Sequence, residues 1–301
     1  MSVWSLLEST FPILLEHMHR AHRTLPSLPI NDPVTWERLE DFYLFDHTPI
    51  NGARVTDEFS RRRYMSADYL DSCYEQLVEE GYATQKGDMF SLAPCGRALY
   101  QQMLDTKAKA YASVDLLCEE KFANLVRFLQ KGYAAALKTD FLHHKPSLSH
   151  GYRYYMNFEG GQLGDLWRYI NLFELYRDDV HFASWKMMGF SAIEIETLTY
   201  LWREGEQTAG TLAEMLAHRG YDADDYAFTL DELRWLGYVM PSGDLSYVLT
   251  LDGRHVRSGI EAETDIQFER FCCATFSDED MVNFSEAVHA LRLNPSTLTQ
   301  E

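Results

Sequence analysis

Basic residues, cysteines and long apolar stretches are all scarce in this chain of 301 residues. It has 27 Lys and Arg against 46 Asp and Glu, a formal net charge of −19 at pH 7, so its average surface repels polyanions. Five cysteines, an odd number without framework spacing, exclude a disulfide scaffold and favour a reduced, cytoplasmic protein. No apolar run is long enough to span a bilayer, and residues 1–8 lack the basic start of a secretion signal. We therefore expect a cytoplasmic protein with no membrane partner.

The common catalytic motifs are also absent. The sequence has no Gly-x-Ser-x-Gly elbow, no Walker lysine loop and no His-Glu-x-x-His, the motifs of serine hydrolases, nucleotide hydrolases and zinc proteases. The glycines of residues 159–164 do not match the dinucleotide fingerprint, so we interpret them as a tight turn. Adjacent Cys272 and Cys273 are more typical of buried thiols than of a nucleophile. These absences argue against an enzyme and predict neither cofactor nor catalytic residues.

What the chain does contain is an internal repeat. Three glycines recur 156 or 157 residues later in the same order: Gly81, Gly87 and Gly96 in the first copy, and Gly237, Gly243 and Gly253 in the second. Two copies in register indicate a duplicated structural unit.

The second copy predicts three helices, a β-hairpin and a further helix. Apolar residues from Ile193 to Trp202 recur at helical spacing, and Thr208 is a typical N-cap for a short second helix. The remaining elements are a third helix ended by Gly237, strands at 238–240 and 247–249 around a turn at 241–244, and a helix opened by Gly253-Arg254. This order is that of a winged helix, a fold most often used to bind duplex DNA.

The first copy follows the same order with a weaker hydrophobic period. We expect helices at Trp36–Phe45 and Thr56–Arg63, and a third helix capped by Ser66. The wing is expected from Tyr82 to Leu92, and a helix follows from Pro94.

The fold class expected is mainly α with small β-hairpin wings: a tandem winged-helix pseudo-dimer with a helical middle segment. Helices that flank the two wings are expected to pair within the chain, and formation of a homodimer stays open. The expected divisions are an N-terminal helix (1–30), a first winged-helix unit (31–110), a helical, aromatic-rich linker (111–185), a second winged-helix unit (186–292) and a flexible tail (293–301).

Charge opposes the usual function of this fold. The third helix of a winged helix enters the major groove, with Lys and Arg on the surrounding phosphates. Residues 66–80 hold five carboxylates and no Lys or Arg, and residues 222–236 hold five carboxylates and one Arg. The candidate phosphate contacts are therefore Arg61, Arg62, Arg63 and Lys86. The alternative for the arginine triplet is a solvated helix end that pairs with nearby carboxylates.

Aromatic side chains and histidines are concentrated between the two copies. Aromatic rings with polar tips suit a pocket for a planar or amphipathic ligand, and the alternative is an aromatic-rich core. The candidate ligand-binding residues are His143, His144, His150, Tyr152, Tyr155, Trp167, Tyr176, His181 and Trp185. Asp178 and His181 are spaced to share a metal ion, but no second pair completes a site, so no metal is expected.

Residues 249–265 are similar to a known family. Gly253-Arg254 after the wing and Ile260-Glu261-x-x-Thr264-Asp265 in the next helix resemble the SalK-like helix-turn-helix proteins, which belong with the MarR-like winged helices. Residues 177–181 resemble the lead-in to the same domain. The resemblance covers about residues 175–290, is weaker at 35–110, and implies a winged-helix pair that acts as a regulator.

The function expected is a ligand-responsive, MarR-like transcriptional regulator or small-molecule binding protein. Its expected partners are a small aromatic or amphipathic molecule and double-stranded DNA. Two alternatives stay open: a winged-helix scaffold recruited as a metabolite-processing enzyme or biosynthetic accessory protein without DNA binding, and an adaptor whose acidic helices bind a basic partner.

Overall fold

The computed structural model describes residues 2–23, 64–149 and 159–293. These residues form two compact units. Unit 1 comprises residues 2–23, 92–149, 159–180 and 265–293, and unit 2 comprises residues 64–91 and 181–264. Across the described ranges, no helix is long and apolar enough to cross a membrane. The helices expected at Trp36–Phe45 and Thr56–Arg63 lie outside the described residues.

Unit 1 is helical and has a core of stacked aromatic rings. The ring of Phe128 stacks on that of Phe276, with centroids 3.8 Å apart, and on that of Phe284 at 4.1 Å. Gly132 leaves room for this core, because a Cβ there would lie 2.1 Å from the ring of Phe173 and 2.6 Å from that of Phe276. The helices of this unit are α1 (Val3–Glu8), α2 (Phe11–Arg23), α4 (Pro94–Ala112), α5 (Glu119–Lys138), α6 (Gly161–Met187) as far as Val180, α10 (Leu251–Thr275) from Asp265, and α11 (Asp278–Arg292).

Unit 2 contains a complete three-helix module with a three-stranded sheet. The sheet has the order β3-β5-β4, and both pairings are antiparallel, with Gln207 opposite Tyr247 and Met240 opposite Val248. The elements of the unit are α3 (Ala67–Glu79), β1 (Ala83–Lys86), β2 (Met89–Leu92) as far as Ser91, the end of α6, α7 (Ala192–Glu204), β3 (Gln207–Thr208), α8 (Ala209–Met215), a 3₁₀ turn (Ala217–Arg219), α9 (Ala223–Trp235), β4 (Val239–Pro241), β5 (Ser246–Leu249) and the start of α10.

Local sequence explains where the elements of unit 2 begin and end. Thr208 and Asp222 are the N-cap residues of α8 and α9, and each forms a capping box. Backbone N–H groups in the first turn of both helices therefore donate hydrogen bonds to side chains. Gly237 follows α9 with a φ of 81°, a conformation that disfavours any side chain. A Cβ at Gly253 would lie 2.0 Å from the carbonyl oxygen of Tyr238, so the start of α10 approaches the hairpin too closely for another residue.

The elements expected for the second copy are all present, and the short strand β3 is an addition. In the first copy, the Ser66-capped helix, the hairpin and the helix from Pro94 are confirmed. The linker expected to be helical from residue 111 contains a break near its start, because α4 ends at Ala112 and α5 begins at Glu119. Each unit joins segments that are distant in sequence, whereas the expected divisions follow the chain order.

Candidate nucleic-acid interface

Helices α8 and α9 of unit 2 form a helix-turn-helix. Leu212 of α8 packs in the same core as Tyr226, Leu230 and Leu233 of α9, and these four side chains are fully buried. The 3₁₀ turn and Gly220, which has a φ of 77°, reverse the chain between the two helices. The hairpin β4–β5 follows α9, so the module has the element order of a winged helix.

The solvent-exposed face of α9 is acidic and aromatic. Positions 224, 228, 231, 232 and 235 lie on one helical face, opposite the buried stripe. Phe228 is 65 % exposed and Trp235 is 89 % exposed, and Asp224, Asp231 and Glu232 are exposed between them. We call this set the acidic–aromatic face of α9.

Residues from the first copy pack against the turn between α8 and α9. The backbone N–H of Ser66 donates to the carbonyl of Arg219 at 2.7 Å, and the guanidinium of Arg219 lies 5.4 Å from the ring centroid of Tyr64. A Cβ at Gly220 would lie 2.1 Å from Tyr69. The start of α3 therefore covers the turn, and the acidic–aromatic face stays exposed to solvent.

A buried ion pair joins this turn to α7. Nε of Arg219 donates to Oε1 of Glu196 at 2.8 Å, and Glu196 is only 6 % exposed. Burial raises the pKa of Glu196, and the neighbouring Arg219 opposes that rise. Among the residues that the structure describes, Oε2 of Glu196 and the buried hydroxyl of Tyr226 have no hydrogen-bond partner. Removal of Arg219 would therefore leave a buried carboxylate without its cation.

The two hairpin tips differ in charge. Lys86 is exposed at the end of β1, beside the turn at Gly87-Asp88, which is where a wing contacts a phosphate. The tip of the second hairpin carries Asp244 and the 85 % exposed Leu245, with no cation. Burying Leu245 on a partner surface would be favourable, whereas a phosphate has no counter-charge there.

The candidate phosphate contacts are only partly placed. Lys86 lies at the first hairpin tip, and Arg61, Arg62 and Arg63 lie outside the described residues. Near the second module, Arg234 pairs with Asp231 at 3.2 Å, and Arg257 pairs with Glu261 at 3.0 Å. Residues 181–264 hold fourteen Asp and Glu against six Lys and Arg. The net negative charge of this module therefore opposes DNA binding, in agreement with the expectation from the two acidic third helices.

The candidate ligand residues in unit 1 occupy different environments. His143 and His144 are exposed in the loop after α5. Trp167 is half-buried, and its ring is perpendicular to that of Phe11, with 6.3 Å between centroids. Tyr176 is buried, 4.5 Å from the ring of Phe271, and burial raises the pKa of its hydroxyl. Its position is that of a core residue.

In unit 2, His181 and Trp185 have specific partners. Nδ1 of His181 lies 3.0 Å from the hydroxyl of Thr264. Trp185 is buried in the core of the module, and its indole N–H donates to the hydroxyl of Tyr64 at 3.2 Å. His150, Tyr152 and Tyr155 lie outside the described residues. Where the chain is described, no group of three His, Cys, Asp or Glu side chains is arranged to hold a metal ion.

Two features of the structure were not predicted from the sequence. The first is a half-buried aromatic group in unit 1, where Trp4 lies 6.4 Å from Phe11 and 4.5 Å from the guanidinium of Arg177. On the helix that carries Trp167 and Arg177, burial and the nearby Asp178 raise the pKa of Glu174 to about 7. No short-range signal joins residues 4 and 177, because the contact depends on tertiary packing.

The second feature is the acidic–aromatic face itself. Phe228 and Trp235 are spaced i, i+7 on the side opposite the apolar stripe. The helical period of the sequence therefore predicts two exposed aromatic rings on α9, and the amino-acid composition alone does not.

Part of the chain matches a known protein family. Residues 156–294, which include α6 to α11, match the model of a helix-turn-helix family. Such a match indicates a DNA-binding, regulatory role. No curated protein and no solved structure matches the chain.

Proposed function

We propose that this protein is a winged-helix transcriptional regulator of the MarR-like, SalK-like type, which contacts duplex DNA and responds to a small aromatic or amphipathic molecule. The observation that carries the proposal is the helix-turn-helix of α8 and α9 followed by an antiparallel hairpin. This module lies within the segment that matches the helix-turn-helix family.

The distribution of elements supports a pseudo-dimer. The third helix and hairpin of the first copy, as far as Ser91, cluster in unit 2 with the complete module of the second copy. Most residues of the flanking helices cluster instead in unit 1, where α11 packs against α5 and α2 packs against α4. This arrangement suits two related modules of one chain doing what two subunits do in a dimer.

DNA contact in this proposal depends on few cations. Lys86 at the first hairpin tip and the triplet Arg61–Arg63 contact phosphates, because both third helices are acidic. Each phosphate contact releases condensed counterions and so contributes a salt-dependent part of the affinity. Binding is therefore expected to be strongest at low salt.

Fluorescence anisotropy of a labelled duplex with the whole protein tests this assignment. The triple variant Arg61→Ala, Arg62→Ala, Arg63→Ala and the single variant Lys86→Ala should each bind more weakly than the parent. Lys138→Ala, which removes an exposed cation from α5, is the matched control and should bind like the parent. If the triple variant and Lys86→Ala both retain parental affinity, these residues do not contact the DNA.

The ligand half of the proposal has its best support in unit 1. The half-buried ring of Trp4 lies 4.5 Å from the guanidinium of Arg177 and contacts Phe11, which in turn contacts Trp167. Arg177 also pairs with the exposed carboxylate of Asp265 at 2.8 Å. Aromatic rings next to a guanidinium suit an aromatic anion that competes with Asp265 for Arg177. The fluorescent probe 8-anilinonaphthalene-1-sulfonate has this chemistry. Trp4→Ala should reduce its bound fluorescence, whereas Trp202→Ala, which removes a ring that lies 5.1 Å from the guanidinium of Arg257, should not. Equal reduction in both variants would contradict the assignment.

A further inference from the structure

The acidic–aromatic face of α9 has two properties that a DNA-reading helix does not need. It exposes two large aromatic rings, Phe228 and Trp235, and it carries the carboxylates of Asp224, Asp231 and Glu232. Aromatic rings of this size are costly to leave in water and are typical anchors of protein interfaces. Carboxylates at this position repel the phosphates that flank a major groove.

Further apolar side chains are exposed in the segment that follows α9. Leu236 and Met240 are more than half exposed, and Leu245 at the hairpin tip is 85 % exposed. Tyr247 of β5 places its hydroxyl 3.4 Å from Oδ1 of Asp231, so the sheet and the helix meet beside the carboxylates. Several exposed large apolar residues on one small module favour a binding site for another molecule.

The internal repeat provides a comparison within the same chain. With the offset of 156 residues that relates the two third helices, Phe228 corresponds to Ser72 and Trp235 corresponds to Glu79. Asp224 and Asp231 correspond to the acidic residues Asp68 and Glu75. Both helices are therefore acidic on this face, but only the second carries aromatic rings there. Solubility can explain the carboxylates, which both helices carry. It does not explain the two exposed aromatic rings, which only α9 carries.

We propose that the acidic–aromatic face of α9 binds a Lys- and Arg-rich amphipathic helix of a partner protein. Charge complementarity selects this occupant. The carboxylates pair with Lys and Arg, the faces of Phe228 and Trp235 accept cations and apolar side chains, and the apolar side of the helix covers Leu245. A second copy of this chain is a poor occupant because its net charge of −19 repels an identical surface. This proposal stands apart from the DNA contacts of Lys86 and the arginine triplet.

The test uses the full chain and two synthetic peptides. One peptide places leucines on one helical face and Lys and Arg on the other, and the second has the same composition scrambled so that no apolar face forms. Anisotropy of the labelled peptides should show tighter binding of the amphipathic peptide. The double variant Phe228→Ser, Trp235→Glu, which installs the residues of the first copy, should weaken that binding by about tenfold or more.

Matched charge variants separate a specific site from general attraction. Asp231→Asn with Glu232→Gln should weaken peptide binding and flatten its salt dependence. Glu75→Gln with Glu79→Gln removes two carboxylates from α3 and should change the affinity by no more than about twofold. Thermal unfolding of Phe228→Ser, Trp235→Glu should match that of the parent, because both side chains are exposed.

Three results would overturn the proposal. The first is parental peptide affinity in Phe228→Ser, Trp235→Glu. The second is an equal loss in the α9 and α3 charge variants, since this would indicate attraction to net charge alone. The third is loss of duplex DNA binding in Phe228→Ser, Trp235→Glu with peptide binding intact, which would make this face a DNA-reading surface.

Discussion

The indole N–H of Trp185 donates a hydrogen bond of 3.2 Å to the hydroxyl of Tyr64. Trp185 lies near the end of α6 and belongs to the core of the second-copy module, whereas Tyr64 precedes the third helix of the first copy. This pair, together with the Ser66–Arg219 hydrogen bond, fastens the start of α3 to the second module within unit 2. Residues of the two copies therefore contact each other, in addition to being similar in sequence.

Truncation of Trp185 is expected to destabilise unit 2 strongly. Trp185→Ala removes a side chain that is 1 % exposed and should lower the free energy of unfolding by about 3–5 kcal/mol. Tyr64→Phe removes only the hydrogen-bond acceptor and should cost about 1 kcal/mol. Urea unfolding followed by circular dichroism measures both. Similar losses in the two variants would contradict the core position of Trp185.

Arg219→Ala is expected to lower the free energy of unfolding more than the partial exposure of Arg219 suggests. It leaves the buried carboxylate of Glu196 without its cation, at a cost of about 3 kcal/mol in the free energy of unfolding. Arg234→Ala removes an arginine from the exposed pair with Asp231 and should cost less than about 1 kcal/mol. Because Glu196→Gln removes the buried charge, it should recover part of the stability that Arg219→Ala loses. An Arg219→Ala variant as stable as Arg234→Ala would show that Glu196 needs no cation.

Two glycines of α10 should respond in opposite directions to alanine. Gly253→Ala places a methyl group 2.0 Å from the carbonyl oxygen of Tyr238 and should destabilise the protein by about 1–3 kcal/mol. No neighbouring element of the described chain comes within 4 Å of the Cβ position of Gly259, so Gly259→Ala should stabilise the helix by about 0.5–1 kcal/mol. Thermal unfolding of the two variants checks the difference, and a loss of stability in both would refute the close approach at Gly253.

The sequence predicts the second-copy module well because its signals are local. Thr208, Gly205 and Gly237 determine where helices begin and end through their own side chains or backbone, and the apolar period identifies the buried face. The glycine at position 253 has a physical reason in its close approach to the carbonyl oxygen of Tyr238. Local signals of this kind identify helix ends without any knowledge of the tertiary structure.

Long-range packing limits the rest. Nothing in the sequence places Tyr64 beside Trp185 or Trp4 beside Arg177, because these contacts join segments more than a hundred residues apart. Composition grouped Tyr176 and Trp185 as one aromatic-rich stretch. In the structure, they belong to the cores of different units. Their assignment to a ligand pocket stays a prediction.

Glu174 is expected to make stability depend on pH. Burial raises its pKa from 4.5 to about 7, so the folded protein holds this proton more tightly than the unfolded chain does. The contribution is complete below pH 4.5 and is lost as the pH rises through about 7. Glu174→Gln should remove this decline, and Glu120→Gln, at an exposed position of α5, should keep it. Unfolding free energies measured across this range decide between them, and an unchanged decline in Glu174→Gln would assign it to another group.

The salt dependence of duplex binding tests the central claim most directly. Four phosphate contacts, from Arg61, Arg62, Arg63 and Lys86, predict that the logarithm of the binding constant falls with the logarithm of salt concentration with a slope of about −3.6. Lys86→Ala should make that slope shallower by about 0.9, and Lys138→Ala should leave it unchanged. A chain that binds no duplex at low salt, or a slope that Lys86→Ala and the arginine triplet variant both leave unchanged, would contradict the account.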